Sequence, residues 1–215
     1  MPDFSKEQKL DQELGINNAI IAGVDEVGRG PWAGPVVAGA AWLDREKLPQ
    51  DLIAKLDDSK KLSARKREDI NDQLYDLHQQ GIINLALGEA SCEEIDKLNI
   101  LQASMMAMQR AVSNLSLTPQ AILVDGNKIP KLPCPAKAVI KGDSISLSIA
   151  AASVIAKVNR DHQMFELSIQ YPGYGWEKNQ GYGTAQHRAA LLDLGVTPAH
   201  RRTFRPIRER LELND

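Results

Sequence analysis

The sequence has little of several things that would define a class of protein at once. Only two cysteines, Cys92 and Cys134, occur in 215 residues, so we expect free, buried thiols in a reducing compartment and no disulfide framework. No apolar run approaches the roughly 20 residues that cross a bilayer, and the polar N-terminus lacks the apolar core of a signal peptide. These absences predict a cytoplasmic protein that does not enter a membrane.

Net charge is nearly absent as well. The formal value is −2, which by itself predicts no polyanionic partner. The charge is unevenly distributed, however, because six basic residues stand against two acidic ones between Lys55 and Arg67, and a second basic segment, HRRTFRPIRER, lies near the C-terminus. Each segment is compatible with a solvated face and equally with a surface that binds phosphate groups.

What the chain does have is an alternation of short apolar runs and helical patterns. Runs bounded by Gly and Pro predict strands over 19–26, 35–43, 83–91, 121–126 and 136–143. Helices are predicted over 64–80 after the N-cap Ser63, 95–115 after a capping box of Ser91 and Glu94, 144–170, 184–195 and in the basic tail. This order predicts an α/β fold with a mixed central sheet flanked by helices. We expect one domain over 1–215, with a helical lead-in over about 1–17 and a helical C-terminal segment over about 184–215.

Acidic residues end three of the predicted strands. Asp25 and Glu26 end the first, Asp125 ends the fourth and Asp143 ends the fifth. Taken singly, an aspartate before glycine is more typical of a turn than of a ligand, but adjacent strands can bring all four carboxylates to one place, where they would repel without cations. Oxygen ligands favour Mg²⁺ or Mn²⁺, and shared carboxylates can hold two such ions about 3.5–4 Å apart, an arrangement that assists phosphodiester displacement. No zinc spacing and no nucleophile motif offers another chemistry.

The segment GRGPWAG follows the first acids directly and has two interpretations. A dinucleotide-binding loop would open a helix, whereas Pro31 and Pro35 lead into another strand pattern, so a hairpin with glycines at its turn is one interpretation. In the other, Gly28 and Gly30 let backbone groups approach a nucleic acid closely enough to distinguish RNA from DNA by the ribose 2′-hydroxyl. Arg29 would then bind a phosphate.

Five segments resemble the bacterial ribonuclease HII family. In chain order they are GVDEVGRGPWAGPVVAGA, DDSKKLS, VDGN, KGDSISLSIAAASVIAKVNRD and YPGYGWEKNQGYGTAQH. The resemblance runs from about Ile20 to the TFRP segment and implies a ribonuclease H-like fold. It also implies an Mn²⁺- or Mg²⁺-dependent endonuclease that cuts the RNA strand of RNA–DNA hybrids and nicks duplex DNA on the 5′ side of embedded ribonucleotides, leaving 3′-hydroxyl and 5′-phosphate ends. The implied roles are RNA primer removal and ribonucleotide excision.

The same resemblance assigns the candidate site residues. It implies catalytic metal ligands at Asp25, Glu26, Asp125 and Asp143, a substrate-binding segment at Gly28, Arg29 and Gly30, and a ribonucleotide-sensing tyrosine at Tyr182. The flanking glycines leave Tyr182 equally compatible with an aromatic lid on the core. Lys60 and Lys61 are predicted phosphate contacts, with a solvated loop as the alternative, and Asp161 is predicted to form a structural ion pair or a cap.

Two other classes of protein remain open from the residues alone. One is a nucleic-acid-binding module with acidic turns, which would show no metal-dependent turnover. The other is a metal-dependent nuclease of different specificity, such as a structure-specific DNA endonuclease. An all-DNA duplex compared with the same duplex containing one ribonucleotide separates these classes. A monomer is the default expectation for the oligomeric state.

Overall fold

The sheet at the centre of the protein has the mixed pairing that the sequence predicts. A computed structural model describes residues 1–213, so Asn214 and Asp215 of the predicted C-terminal segment lie outside it. Its strands are β1 (Ile21–Val27), β2 (Val36–Leu43), β3 (Ile83–Ala90), β4 (Ala121–Asp125) and β5 (Ala136–Val139). They lie in the order β3-β2-β1-β4-β5. The β1–β2 and β2–β3 pairs are antiparallel, whereas β1–β4 and β4–β5 are parallel.

Helices cover both faces of this sheet. They are α1 (Ser5–Leu14), α2 (Gln50–Ile53), α3 (Ala64–Gln79), α4 (Cys92–Leu98), α5 (Ile100–Ser113), α6 (Leu147–Gln170), α7 (Trp176–Asn179), α8 (Ala185–Leu194) and α9 (Arg205–Glu212). Apolar residues of α3 and α6 form a buried cluster on one face, and α5 packs on the other. No helix in residues 1–213 has the length and apolarity that a membrane crossing requires.

The long helix predicted over 95–115 is wrong, because the chain breaks it at Asn99. That residue has φ 67°, a left-handed value that ends α4 and turns the chain. Its side-chain oxygen then accepts hydrogen bonds from the N–H groups of Leu101 and Gln102 and caps α5. The predicted capping box of Ser91 and Glu94 is confirmed, and it starts α4 at Cys92, three residues before the predicted start.

The strand predicted over 136–143 is also too long. It ends at Val139, and Lys141 adopts a left-handed φ of 55° before a 3₁₀ turn over Gly142–Ser144. Asp143 therefore stands on a turn and not at a strand end. The next helix begins at Leu147 and not at residue 144, because the Ser146 hydroxyl caps it by accepting from the Ile149 N–H.

Helix α6 lies unusually close to the sheet. A Cβ atom on Gly23 of β1 would stand 2.2 Å from the Ile149 nitrogen, and one on Gly39 of β2 would stand 2.3 Å from the Ala152 oxygen. Both glycines are therefore required by backbone approach. This contact seats α6 directly against the strand that contains Asp25. The two cysteines are free thiols, as predicted, but they are partly rather than fully buried.

Candidate active site

Parallel pairing of β1 and β4 brings two of the predicted acids side by side. Val24 is the register partner of Val124, and an aspartate follows each of them, Asp25 in β1 and Asp125 in β4. Since side chains alternate along a strand, Asp25 shares the face of Gly23, the one that α6 covers. Glu26 is directed to the opposite face.

Asp25 and Asp143 are the two buried members of the acid group, each with 5% of its surface exposed. Its Oδ1 accepts the Glu26 N–H at 2.7 Å, and the Ser153 hydroxyl of α6 also bonds to it. Burial raises the pKa of the Asp25 carboxyl well above its usual range, and the neighbouring carboxylates of Glu26 and Asp125 raise it further. The Asp25 carboxyl is therefore harder to ionise in the folded, ion-free protein than in solvent.

Glu26 faces a cavity of about 240 Å³ that Asp125 and Met105 also line. Arg29 approaches from the loop after β1, with its Nη1 3.2 Å from Glu26 Oε1. Burial raises the pKa of the Glu26 carboxyl, and the Arg29 guanidinium opposes that shift. Glu26 thus joins the acid group from the other side of the strand end.

Asp143 reaches the same region from the 3₁₀ turn. The Gly142 N–H donates to Asp125 Oδ1 at 2.6 Å, which fastens the turn to the end of β4. Burial raises the pKa of Asp143, as does the Asp125 carboxylate. Lys60 Nζ stands 3.8 Å from Asp143 Oδ2. Partial burial opposes ionisation of Lys60, but the Asp25 and Asp143 carboxylates together raise its pKa.

The four acids fit a divalent cation in chemistry and in charge. Their donors are all oxygens, which Mg²⁺ and Mn²⁺ prefer, and burial, together with the neighbouring carboxylates, raises the pKa values of three of the carboxyls. Among residues 1–213, no three His, Cys, Asp or Glu side chains already stand at ligand spacing. Instead, Arg29 forms an ion pair with Glu26, and Lys60 forms one with Asp143.

The loop between β1 and β2, residues 28–35, is called the glycine loop below. It closes an antiparallel hairpin, as predicted, with φ 95° at Gly28 and 82° at Gly34. The Tyr182 ring borders this loop, since a Cβ on Gly30 would stand 3.1 Å from Tyr182 Cε1. Half of Tyr182 is exposed, at 51%, so part of the ring covers the loop and the rest faces solvent. The Trp32 N–H donates to the Gly181 oxygen at 2.8 Å and joins the two segments.

The basic segment divides between the site and structural pairs. Lys60 lies at the acids, while Lys61 Nζ lies 3.0 Å from Asp57 and 3.2 Å from the Ser144 hydroxyl. Asp161 forms ion pairs with Arg67 and Lys157, the structural role predicted for it.

Sequence reasoning missed three side chains beside this site. Ser153 was assigned only to a core helix, and Arg160 was not singled out. Arg201 belongs to the basic segment that was compatible with a solvated face and equally with a phosphate-binding surface, yet it is fully buried. One signal was available for Arg160. A long basic residue in an Ala-rich helix that packs closely against a sheet indicates a buried cation with a specific role.

Solved structures of other proteins have the same fold. A ribonuclease H2 from Pyrococcus horikoshii OT3 superposes with a TM-score of 0.76 at 29% identity, over 90% of this chain and 97% of that one. A structure of Bst-RNase HIII in complex with Mn²⁺ is similar in fold, with a TM-score of 0.73 at 19% identity over 92% of this chain and 70% of that one. The sheet, its flanking helices and the acids at the ends of β1 and β4 define a nuclease of the ribonuclease H-like class.

The sequence comparisons identify a particular family within this class. The family model for ribonuclease HII matches residues 22–207. A ribonuclease HII of Rhodospirillum rubrum is 53% identical over 98% of this chain and 92% of its own length, and one of Ruegeria pomeroyi is 55% identical over 96% and 83%. The chain belongs to the ribonuclease HII family, as its motifs predict. Members are divalent-metal-dependent endoribonucleases of the ribonuclease H type.

Proposed function

We propose that this protein hydrolyses the RNA strand of RNA–DNA hybrids and nicks duplex DNA on the 5′ side of embedded ribonucleotides, leaving 3′-hydroxyl and 5′-phosphate ends. The observation that supports this most is the group of buried and partly buried acids at the ends of β1 and β4, placed beside a glycine loop. Its biological work is then RNA primer removal and ribonucleotide excision. The cytoplasmic location, the single catalytic domain over 1–215 and the monomeric state stay predictions.

The acids divide the work of holding cations. Asp25 and Asp125 would hold Mn²⁺ or Mg²⁺ in a site for two ions, and Glu26 and Asp143 would complete the set directly or through water. The chemistry supplied by divalent ions, when bound, is activation of water and stabilisation of charge on the departing 3′ oxygen. Lys60 and Arg29 neutralise part of the acid charge in the ion-free protein, as their contacts with Asp143 and Glu26 indicate.

The glycine loop and Tyr182 recognise the ribonucleotide. Arg29 and Gly30 are exposed, so their peptide groups can reach a ribose 2′-hydroxyl, and the Arg29 guanidinium can bind a phosphate. Gly28 supplies the left-handed turn that places them beside Glu26. The exposed Tyr182 ring packs on the sugar next to the ribonucleotide. Lys60 and Lys61 contact the phosphates of the duplex.

The decisive experiment compares an all-DNA duplex with the same duplex containing one ribonucleotide, each with Mn²⁺, with Mg²⁺ and with a chelator. Cleavage is expected only for the ribonucleotide-containing duplex with a divalent ion, on the 5′ side of the ribonucleotide. Asp125→Asn is the matched inactive variant. Equal cleavage of the all-DNA duplex would show a nuclease of other specificity, and metal-independent binding without any cleavage would show a binding module.

A further inference from the structure

Arg201 is fully buried. In the part of the chain that the structure describes, the hydrogen bonds of its guanidinium all go to backbone oxygens of the glycine loop. Its relative exposure is 0%. It follows α8 in the chain, far from the glycine loop in sequence. Five carbonyl groups of the glycine loop accept from it: Gly28 at 2.5 Å, Arg29 at 3.0 Å, Pro31 at 2.8 Å, Gly34 at 2.9 Å and Pro35 at 3.1 Å. All five N–H donors of an arginine are available for such contacts.

Arg160 joins the same loop to the segment that contains Tyr182. It projects from α6, with 1% exposure. Its Nε donates to the Pro35 oxygen at 3.0 Å and its Nη2 to the Ala33 oxygen at 3.2 Å. The Nη1 atom donates to the Gln180 oxygen at 3.1 Å. The two buried guanidinium groups therefore fasten the glycine loop from two sides.

Neither of these two cations forms an ion pair with a carboxylate of the described residues, so their burial reduces the stability of the folded protein. Burial, and then the Arg160 charge, lowers the pKa of Arg201 to about 10, so at neutral pH the group stays charged. Burial raises the pKa of the neighbouring Cys92 thiol, so Cys92 offers no negative charge. Buried like charges without a counterion oppose folding, which points to a role in function.

These contacts orient the carbonyl groups and the N–H groups of the glycine loop in opposite directions. Since Arg201 takes up the carbonyl oxygens of Gly28, Arg29 and Pro31, these oxygens are directed into the protein. The N–H groups of Arg29 and Gly30 donate to no atom of residues 1–213, and both residues are exposed. Free donors on a surface loop, above two buried positive charges, suit an oxygen-rich ligand.

We infer that Arg201, with Arg160, is a positioning residue that holds the glycine loop with its carbonyls inward and its Arg29 and Gly30 N–H groups outward, toward the ribonucleotide. This inference rests on the proposed function. Without the guanidinium, the inward carbonyls would lose their donors, and the loop would turn some of them to solvent. The protein would then bind DNA but lose its preference for a ribonucleotide.

The test is a ratio of two affinities measured on one protein sample with a chelator present. The affinity for a duplex with one ribonucleotide is divided by that for the same all-DNA duplex. In Arg201→Lys the charge is kept but the five-donor fork is lost, and we expect the ratio to fall about tenfold, as losing about 1.4 kcal/mol implies. A fraction of misfolded protein lowers both affinities equally and leaves the ratio unchanged.

Two further variants complete the design. Arg160→Lys should lower the ratio in the same direction, because Arg160 joins the loop to the Tyr182 segment. Arg45→Lys is the matched control, because Arg45 is a partly buried arginine bonded to Asp11 and the Ala19 oxygen. It should lower thermal stability and leave the ratio unchanged. A wild-type ratio in folded Arg201→Lys and Arg160→Lys would overturn the inference.

A measurement on the wild-type protein covers the case in which neither variant folds. Amide exchange should be fast at Arg29 and Gly30 and slow at the Arg201 Nε–H. Protected Arg29 and Gly30 amides would overturn the inference. A wild-type ratio near one, by contrast, would contradict the proposed function itself.

Discussion

Asp25 illustrates how a functional residue can work against the fold that contains it. In the unfolded chain an aspartate has a pKa of about 4, whereas burial and then the carboxylates of Glu26 and Asp125 raise the pKa of Asp25 in the folded protein. The folded state therefore binds the proton more tightly, and stability falls as pH rises from the unfolded value through the folded one. At neutral pH the ion-free protein is destabilised by its own site.

We expect Asp25→Asn to abolish cleavage while raising the melting temperature of the ion-free protein at pH 7. The amide removes the buried charge but keeps an oxygen for the Glu26 N–H. A gain of about 1 kcal/mol would raise Tm by roughly 2–4 °C in a chain of this size. Thermal unfolding with a chelator, together with a cleavage assay, measures both effects.

Asp161→Asn is the matched control for that prediction. Asp161 is also largely enclosed, but Arg67 and Lys157 pair with it, so its neutralisation should lower Tm and leave cleavage in place. Cleavage at the wild-type rate by Asp25→Asn would contradict the assignment of Asp25, and a lowered Tm would contradict the electrostatic argument.

Tyr182→Ala should separate substrate recognition from stability. The ring is half exposed, so its loss should change Tm little. Aromatic stacking on a nucleotide contributes about 1–3 kcal/mol, and we expect kcat/KM for a single embedded ribonucleotide to fall at least tenfold, with a smaller loss on a continuous RNA–DNA hybrid. Tyr75→Ala, with 36% exposure on α3, serves as control. An equal loss on every substrate that follows Tm would return Tyr182 to a structural role.

At the scale of elements, α6 connects the parts of the site. Its cap Ser146 follows the turn of Asp143, Ser153 bonds to Asp25, and Arg160 reaches the glycine loop. The helix was predictable because its apolar periodicity is local. The turn at Asn99 was not, because it depends on a left-handed backbone that the side chain of Asn99 stabilises only once α5 has formed.

Gly23→Ala should test the close approach of α6 to β1. An added methyl group would stand 2.2 Å from backbone atoms of Ile149 and Ser148, and neither chain segment can rotate away. We expect a loss of about 3 kcal/mol, near the upper end for overpacking, seen as a lower denaturant midpoint. Gly81→Ala is the control for backbone strain without packing, because Gly81 has φ 72°, unlike Gly23, and nothing within 4 Å. Strain alone costs about 1–2 kcal/mol there, so equal losses would contradict the packing argument.

At the scale of the molecule, the sequence predicted which acids meet but not how the loops beside them are held. Asp25 and Asp125 were predictable because parallel strands bring their ends together. The role of Arg201 was not, since a basic segment predicts either a solvated face or a phosphate-binding surface. Its five acceptors are backbone atoms of a loop far away in sequence. Contacts to the main chain leave no side-chain pattern.

The C-terminal segment is joined to the rest through two buried histidines. The His187 Nδ1–H donates to the Tyr182 oxygen at 3.0 Å, and the His200 Nε2–H donates to His187 Nε2 at 3.1 Å. The Thr197 N–H donates to His200 Nδ1 at 3.0 Å. This chain of bonds requires both rings to be neutral, which assigns their tautomers.

Acid should therefore loosen this segment before it affects the central sheet. Burial, and then the neighbouring His187, lowers the pKa of His200 to about 4, whereas an unfolded histidine has a pKa of about 6.5. Between these values the unfolded chain binds more protons, so stability falls as pH falls, by on the order of 3 kcal/mol in all. His200→Phe should be less stable at pH 7 but lose less stability between pH ~6.5 and ~4 than wild type in urea unfolding. His162→Gln, at an exposed ion pair, is the control and should keep the wild-type dependence of the free energy of unfolding on pH. The wild-type dependence in His200→Phe would contradict the prediction.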